Sequence, residues 1–85
     1  MNLLEGILEY YPEEEILKAN GFDSAVIGIE VNTMRLIYSS TKIIETLIEK
    51  DEMTLEEAIE HYEYNILGSY VGEKTPIHCD DMYLI

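Results

Sequence analysis

Two short apolar runs in the middle of the chain limit the fold most. Ala25-Val26-Ile27-Gly28-Ile29 and Arg35-Leu36-Ile37-Tyr38 are too short for helices and rich in β-branched residues, so they read as strands. Val31-Asn32-Thr33-Met34 is the connection between them, which makes the pair a hairpin. Both runs are apolar on consecutive residues, a pattern expected of a sheet covered on more than one side.

The flanks change to a helical period. Asn2 with Glu5 resembles a capping box, and Leu3, Leu4, Ile7, Leu8 and Tyr11 follow at helical spacing. Pro12 stops that helix and opens a second one, with Glu13-Glu14-Glu15 against the positive dipole end and Asn20-Gly21 as its stop. Ser39 or Ser40 caps a helix running to about Lys50, with Ile43, Ile44, Leu47 and Ile48 on its apolar face. Thr54-Leu55-Glu56-Glu57 is a capping box that opens a last helix through Leu67, ended by Gly68. Leu55, Ala58, Ile59, Tyr62 and Ile66 form its apolar side. The closing residues Met82-Tyr83-Leu84-Ile85 are read as an optional edge strand. The expected fold is α+β, with helices packed on a small antiparallel sheet of two or three strands in the order α-α-β-β-α-α-(β).

Eighty-five residues read as one domain, residues 1–85, with room for a single core. A deep enzyme cleft is hard to fit at this size. The lone Cys79 forms no internal disulfide, the N-terminus lacks the basic start and apolar run of a signal peptide, and no run reaches membrane-spanning length. These features predict a cytoplasmic protein with no membrane partner.

Eighteen acids against five Lys and Arg give a net charge of −13. A phosphate surface repels such a chain, so direct nucleic-acid binding is not expected and a basic protein surface is the natural partner. The charge is uneven: residues 1–21 carry a net −4 and residues 51–67 a net −6. Glu52, Glu56, Glu60 and Glu63 recur at helical spacing as an acidic stripe. Like charges so placed destabilise a helix by a few tenths of a kcal/mol each, roughly, so the stripe either solubilises or meets a basic groove. Tyr64 lies opposite Leu55, Ile59 and Tyr62 on the helical wheel, on the side of Glu57 and His61. An amphipathic ring there suits a protein interface. Glu52, Glu56, Glu60, Glu63 and Tyr64 are therefore the candidate partner-binding residues.

No catalytic constellation emerges. Gly68-Ser69-Tyr70-Val71-Gly72-Glu73-Lys74-Thr75 resembles a phosphate-binding loop, but one residue is missing between the glycines and Glu73 precedes Lys74. A helix stop followed by a structured loop fits it better. His78-Cys79-Asp80-Asp81 places four potential metal ligands in a row, yet alternate residues of an extended chain point to opposite sides. His61 joins them only through the fold, so no metal or cofactor is assigned and an acidic turn is expected. Cys79 beside His78 lacks the through-space geometry of a nucleophile and its base. No catalytic residue is assigned.

The segments Asp23-Ser24-Ala25-Val26-Ile27-Gly28-Ile29, Arg35-Leu36-Ile37-Tyr38-Ser39 and Met53-Thr54-Leu55-Glu56-Glu57-Ala58 resemble a family of short, uncharacterised bacteriophage and bacterial proteins. Tyr64-Asn65 through Gly72-Glu73-Lys74-Thr75-Pro76-Ile77 resembles it too, and is the most specific piece. The resemblance covers about two thirds of the chain. It implies a phage or mobile-element setting and no catalytic residues. Small acidic proteins in that setting often resemble inhibitors of host nucleic-acid-handling or defence machinery, CRISPR effectors among them. The expected role is thus a non-enzymatic accessory protein bound to a host protein, in the host cytoplasm. The alternative is a small-molecule-binding or sequestering module using the Gly68–Asp81 loop, with Tyr70, Glu73, Lys74 and Thr75 as its site. In the tail, a buried Asn65 and the Gly72 turn would set how the last helix meets the sheet. Oligomeric state is left open by the sequence.

Overall fold

A computed structural model describes residues 3–81. Helix α1 spans Leu3–Tyr10 and buries Leu4 and Ile7, three apart and hence on one face. The capping box expected at Asn2 lies outside the described residues. Strands β1 (Val26–Glu30) and β2 (Arg35–Ser39) pair antiparallel across the expected four-residue connection. The Glu30 carboxylate braces the turn by accepting from the Asn32 and Thr33 amides at 3.0 and 2.7 Å. Its pKa is lowered by the Thr33 hydroxyl and these amides. The register shifts between Val26 and Gly28, a bulge that leaves Ile27 at the surface. Leu36 and Tyr38, on one face of β2, are fully buried, whereas Ile37 between them is half-buried. The sheet is therefore covered tightly on one face only.

Ser39 caps α2 (Ser40–Lys50), its hydroxyl accepting from the Lys42 amide at 3.1 Å. Ile43, Ile44 and Leu47 turn inward against β2. Helix α3 (Leu55–His61) starts with both hydrogen bonds of the Thr54–Glu57 capping box in place. From Tyr62 the helix widens into a π-turn, Tyr62–Ile66, closed by the Leu67 amide on the Tyr62 carbonyl at 2.8 Å. Ala58 and Tyr62 join the core, while Leu55, expected on the apolar face, stands exposed at the first turn.

Three expectations need correction. Residues 12–22 form no helix: they run as turns and extended chain that lays Ile16, Ala19 and Phe22 on the core. A helix of two turns holding three consecutive glutamates is marginal alone, and the extended path lets the Ala19 amide donate to the buried Tyr38 hydroxyl at 2.8 Å. Among the described residues the third strand is β3, Ile77–Cys79; the edge strand expected at residues 82–85 lies outside the described residues. Strand β3 pairs parallel with β2, so the sheet is mixed, in the order β1-β2-β3, instead of antiparallel. The path through α2 and α3 is a crossover long enough to bring the chain back in the same direction. His78-Cys79-Asp80-Asp81 is correspondingly the end of a strand and its exit, not an acidic turn.

Candidate functional site

The acidic stripe and Tyr64 come first. Glu52 precedes α3 with φ 55°, a left-handed conformation that takes it out of the helical row. Glu56 and Glu60 lie exposed on α3, and Glu63 lies exposed on the π-turn. An open groove of about 490 Å³ is lined by Met53, Glu57, Glu60, His61, Tyr64 and Asn65. Glu63 instead lines a smaller cavity, so the stripe divides between two recesses. Tyr64 is 79% exposed, and it shares the groove with Glu57 and His61 as its wheel position predicts. Asn65, expected inside, is exposed and sits 3.3 Å from His61 Nδ1 on the groove wall. The Glu57 carboxyl is held below the usual range, first by the Thr54 amide and then by the Thr54 hydroxyl. The groove lining contains no Lys or Arg.

Three of the five Lys and Arg are engaged elsewhere. Lys18 pairs with Asp23 at 3.6 Å. Lys74 Nζ donates to the Thr33 carbonyl at 2.7 Å, and Arg35 Nε donates to the Thr75 carbonyl at 2.6 Å. These two struts tie the loop after the π-turn to the β1–β2 hairpin. Thr75 also closes its own turn, its hydroxyl accepting from the Val71 amide and donating to the Gly72 carbonyl. Gly72, with φ 112°, supplies a conformation few other residues adopt. Within the alternative site, then, Lys74 and Thr75 hold the loop in place, while Tyr70 and Glu73 face solvent.

A polar network that spacing could not announce joins α2, the π-turn and β3. Ser40 Oγ and Tyr62 Oη are 2.6 Å apart, and Tyr62 Oη is 3.1 Å from His78 Nδ1. The partners are 22 and 16 residues apart in sequence. Ser40 and Tyr62 read in the sequence only as a cap and a core position. Burial raises the Tyr62 pKa and lowers that of His78, which favours the neutral form of both rings. One residue beyond the exit of β3, Asp81 reaches the start of α2. Its Oδ2 accepts from Ser39 Oγ at 2.5 Å and its Oδ1 from the Thr41 amide at 3.0 Å.

Among the described residues, no three of His, Cys, Asp and Glu converge to hold a metal ion. Among them also, no helix is long and apolar enough to cross a membrane. No family model, curated protein or solved structure matches the chain.

Proposed function

We propose that the protein acts without catalysis, by binding a protein that presents a basic surface to the groove beside α3. One observation carries this reading: Tyr64, 79% exposed, stands in a groove with Glu57 and Glu60 whose lining holds no Lys or Arg. An exposed aromatic ring beside uncompensated carboxylates suits an Arg or Lys of a partner, through charge and cation–π attraction together. Glu56 extends the charged surface along α3. A Lys/Arg-lined groove built for nucleic acid is the kind of surface such a face occupies. In the phage setting that the sequence resemblance implies, the partner is a host nucleic-acid-handling or defence protein, and binding inhibits it.

The test is capture from host lysate with tagged protein at low and high salt, followed by mass spectrometry. A partner should be held at low salt and released as salt rises. Glu60→Lys with Tyr64→Ala should abolish capture of that partner, whereas Glu45→Lys on α2 should leave it intact. Equal capture by all three proteins rules out the groove. Glu57 is left unchanged because it caps α3.

A further inference from the structure

One face of the sheet carries no part of the core. Register places Gly28, Ile37 and Ile77 in one row across β1, β2 and β3, with Glu30 and Arg35 paired in a second row toward the hairpin. Leu36 and Tyr38 point into the core, so the residues that alternate with them point away from it. Ile37 and Ile77 are half-buried and belong neither to the core nor to the apolar residues packed around it. Of the residues that the register puts on this face, Glu30 is the one acid and Arg35 is its cross-strand partner.

Neither conformation nor packing among the described residues requires glycine at position 28. Its φ is not positive, unlike that of Gly21 and Gly72, so the neighbouring bulge is not of the kind that demands glycine. A Cβ there would meet nothing within 4 Å. Glycine inside a strand weakens it and marks places where another backbone or a ligand comes close. Gly28 thus leaves a notch at one end of the row, and Ile77 stands as a knob at the other.

The row is complementary to itself. A two-fold axis along β2 lays β1 of one copy over β3 of a second. Ile77 of each copy then enters the notch at Gly28 of the other, and the two Ile37 side chains meet on the axis. The same operation matches the charges. Arg35 Nε donates to the Thr75 carbonyl at 2.6 Å, which draws the guanidinium toward the start of β3. Glu30 of the second copy comes down over that position. Its carboxylate has about four acceptor sites, against three bonds accepted within its own turn.

We propose that this sheet face is the contact between two copies of the chain in a reciprocal dimer. Two chains of charge −13 repel one another, and this face lets them meet with its one acid matched. Three strands of this length cover roughly 14 by 17 Å. That is well under the roughly 800 Å² per partner of a stable interface, so the dimer is weak, half-formed at about 0.1–1 mM. It shares no residue with the groove beside α3, and its failure leaves that reading untouched.

The test is sedimentation equilibrium of the full chain from about 0.02 to 2 mM, with ¹⁵N amide shifts followed over the same dilution. The apparent mass should climb toward twice that of the monomer, with shifts at Gly28, Ile37 and Ile77 and none at Glu60 or Tyr64. Added salt should strengthen association by screening the repulsion between the chains. Mixed ¹³C-labelled and unlabelled wild-type chains should give an NOE from the Ile77 methyls to the Gly28 α-protons. Gly28→Val fills the notch and should weaken association at least tenfold. Adding Ile77→Ala to it exchanges knob and notch, and should bring association back to within threefold of wild type. The NOE decides the packing if either variant unfolds. The dimer is wrong if the mass stays monomeric to the highest concentration, if salt weakens association, or if the shifts fall on α3. It is equally wrong if Gly28→Val associates like wild type or the double variant recovers nothing. A monomeric chain that instead holds another protein on this face also overturns it.

Discussion

Asp81 and Ser39 join through a 2.5 Å hydrogen bond, from the Ser39 hydroxyl to the Asp81 carboxylate. Ser39 ends β2 and caps α2, while Asp81 follows β3. One contact thus ties the parallel strand pair to the helix that starts the crossover between them. The Asp81 carboxylate also accepts from the Thr41 amide, so it neutralises one of the orphan donors at the α2 N-terminus.

The pH dependence of stability follows from that contact. Mainly through the Ser39 hydroxyl, and also through the Thr41 amide, the Asp81 pKa falls from 3.8 to about 2. A carboxylate with a lower pKa in the folded state stabilises the fold above its unfolded value and loses that contribution as pH falls through the folded one. The wild-type melting temperature should therefore fall between pH 3.8 and about 2 more steeply than that of Asp81→Asn. At neutral pH, Asp81→Asn should cost about 1 kcal/mol in urea unfolding, as losses of helix caps do.

His78 makes a second pH range sensitive. Burial lowers its pKa below 6.5, so the unfolded chain binds a proton that the folded one resists. Stability is whole above pH 6.5 and declines as pH falls toward the folded value. Imidazole NMR signals should place the His78 midpoint below 6.5 in the folded protein. A His78 midpoint at or above 6.5 would exclude the desolvated environment assigned to the ring.

Tyr38→Phe tests the strap over residues 12–22. The substitution removes the hydroxyl that accepts from the Ala19 amide and leaves the ring's core position filled. A loss of about 1 kcal/mol is expected. Hydrogen exchange at Ala19 should accelerate at least tenfold, well beyond the change at Ile43 on α2. Equal acceleration at both amides would mean that the strap is not held by this contact.

Glu52 separates stability from binding. At φ 55° it occupies a conformation that costs a residue with a side chain roughly 1 kcal/mol and costs glycine little. Glu52→Gly should therefore raise stability by about 0.5–1 kcal/mol in denaturant titration. If Glu52 also contacts a partner, affinity should drop in the same variant. A stabilised variant with unchanged affinity removes Glu52 from the binding face.

What the sequence determined by itself was local. Ser39 and the Thr54–Glu57 pair mark the starts of α2 and α3 because a cap hydroxyl bonds an amide only a few residues ahead. The hairpin was legible for the same reason, its two strands being joined by four residues. Tyr64 beside Glu57 and His61 followed from helical geometry alone. Tertiary structure decided what depends on distant partners. Glu13-Glu14-Glu15 carries a helix-start signal, yet the segment stays extended where Tyr38 offers the Ala19 amide an acceptor 19 residues away. Ile77–Cys79 became a parallel strand only because β2 lay open to it after two intervening helices. The π-turn at Tyr62, and the meeting of Ser40, Tyr62 and His78, left no trace in spacing. A hydrogen bond across 16 or 22 residues is fixed by the packed core that brings its ends together, and no local pattern of residues encodes that distance.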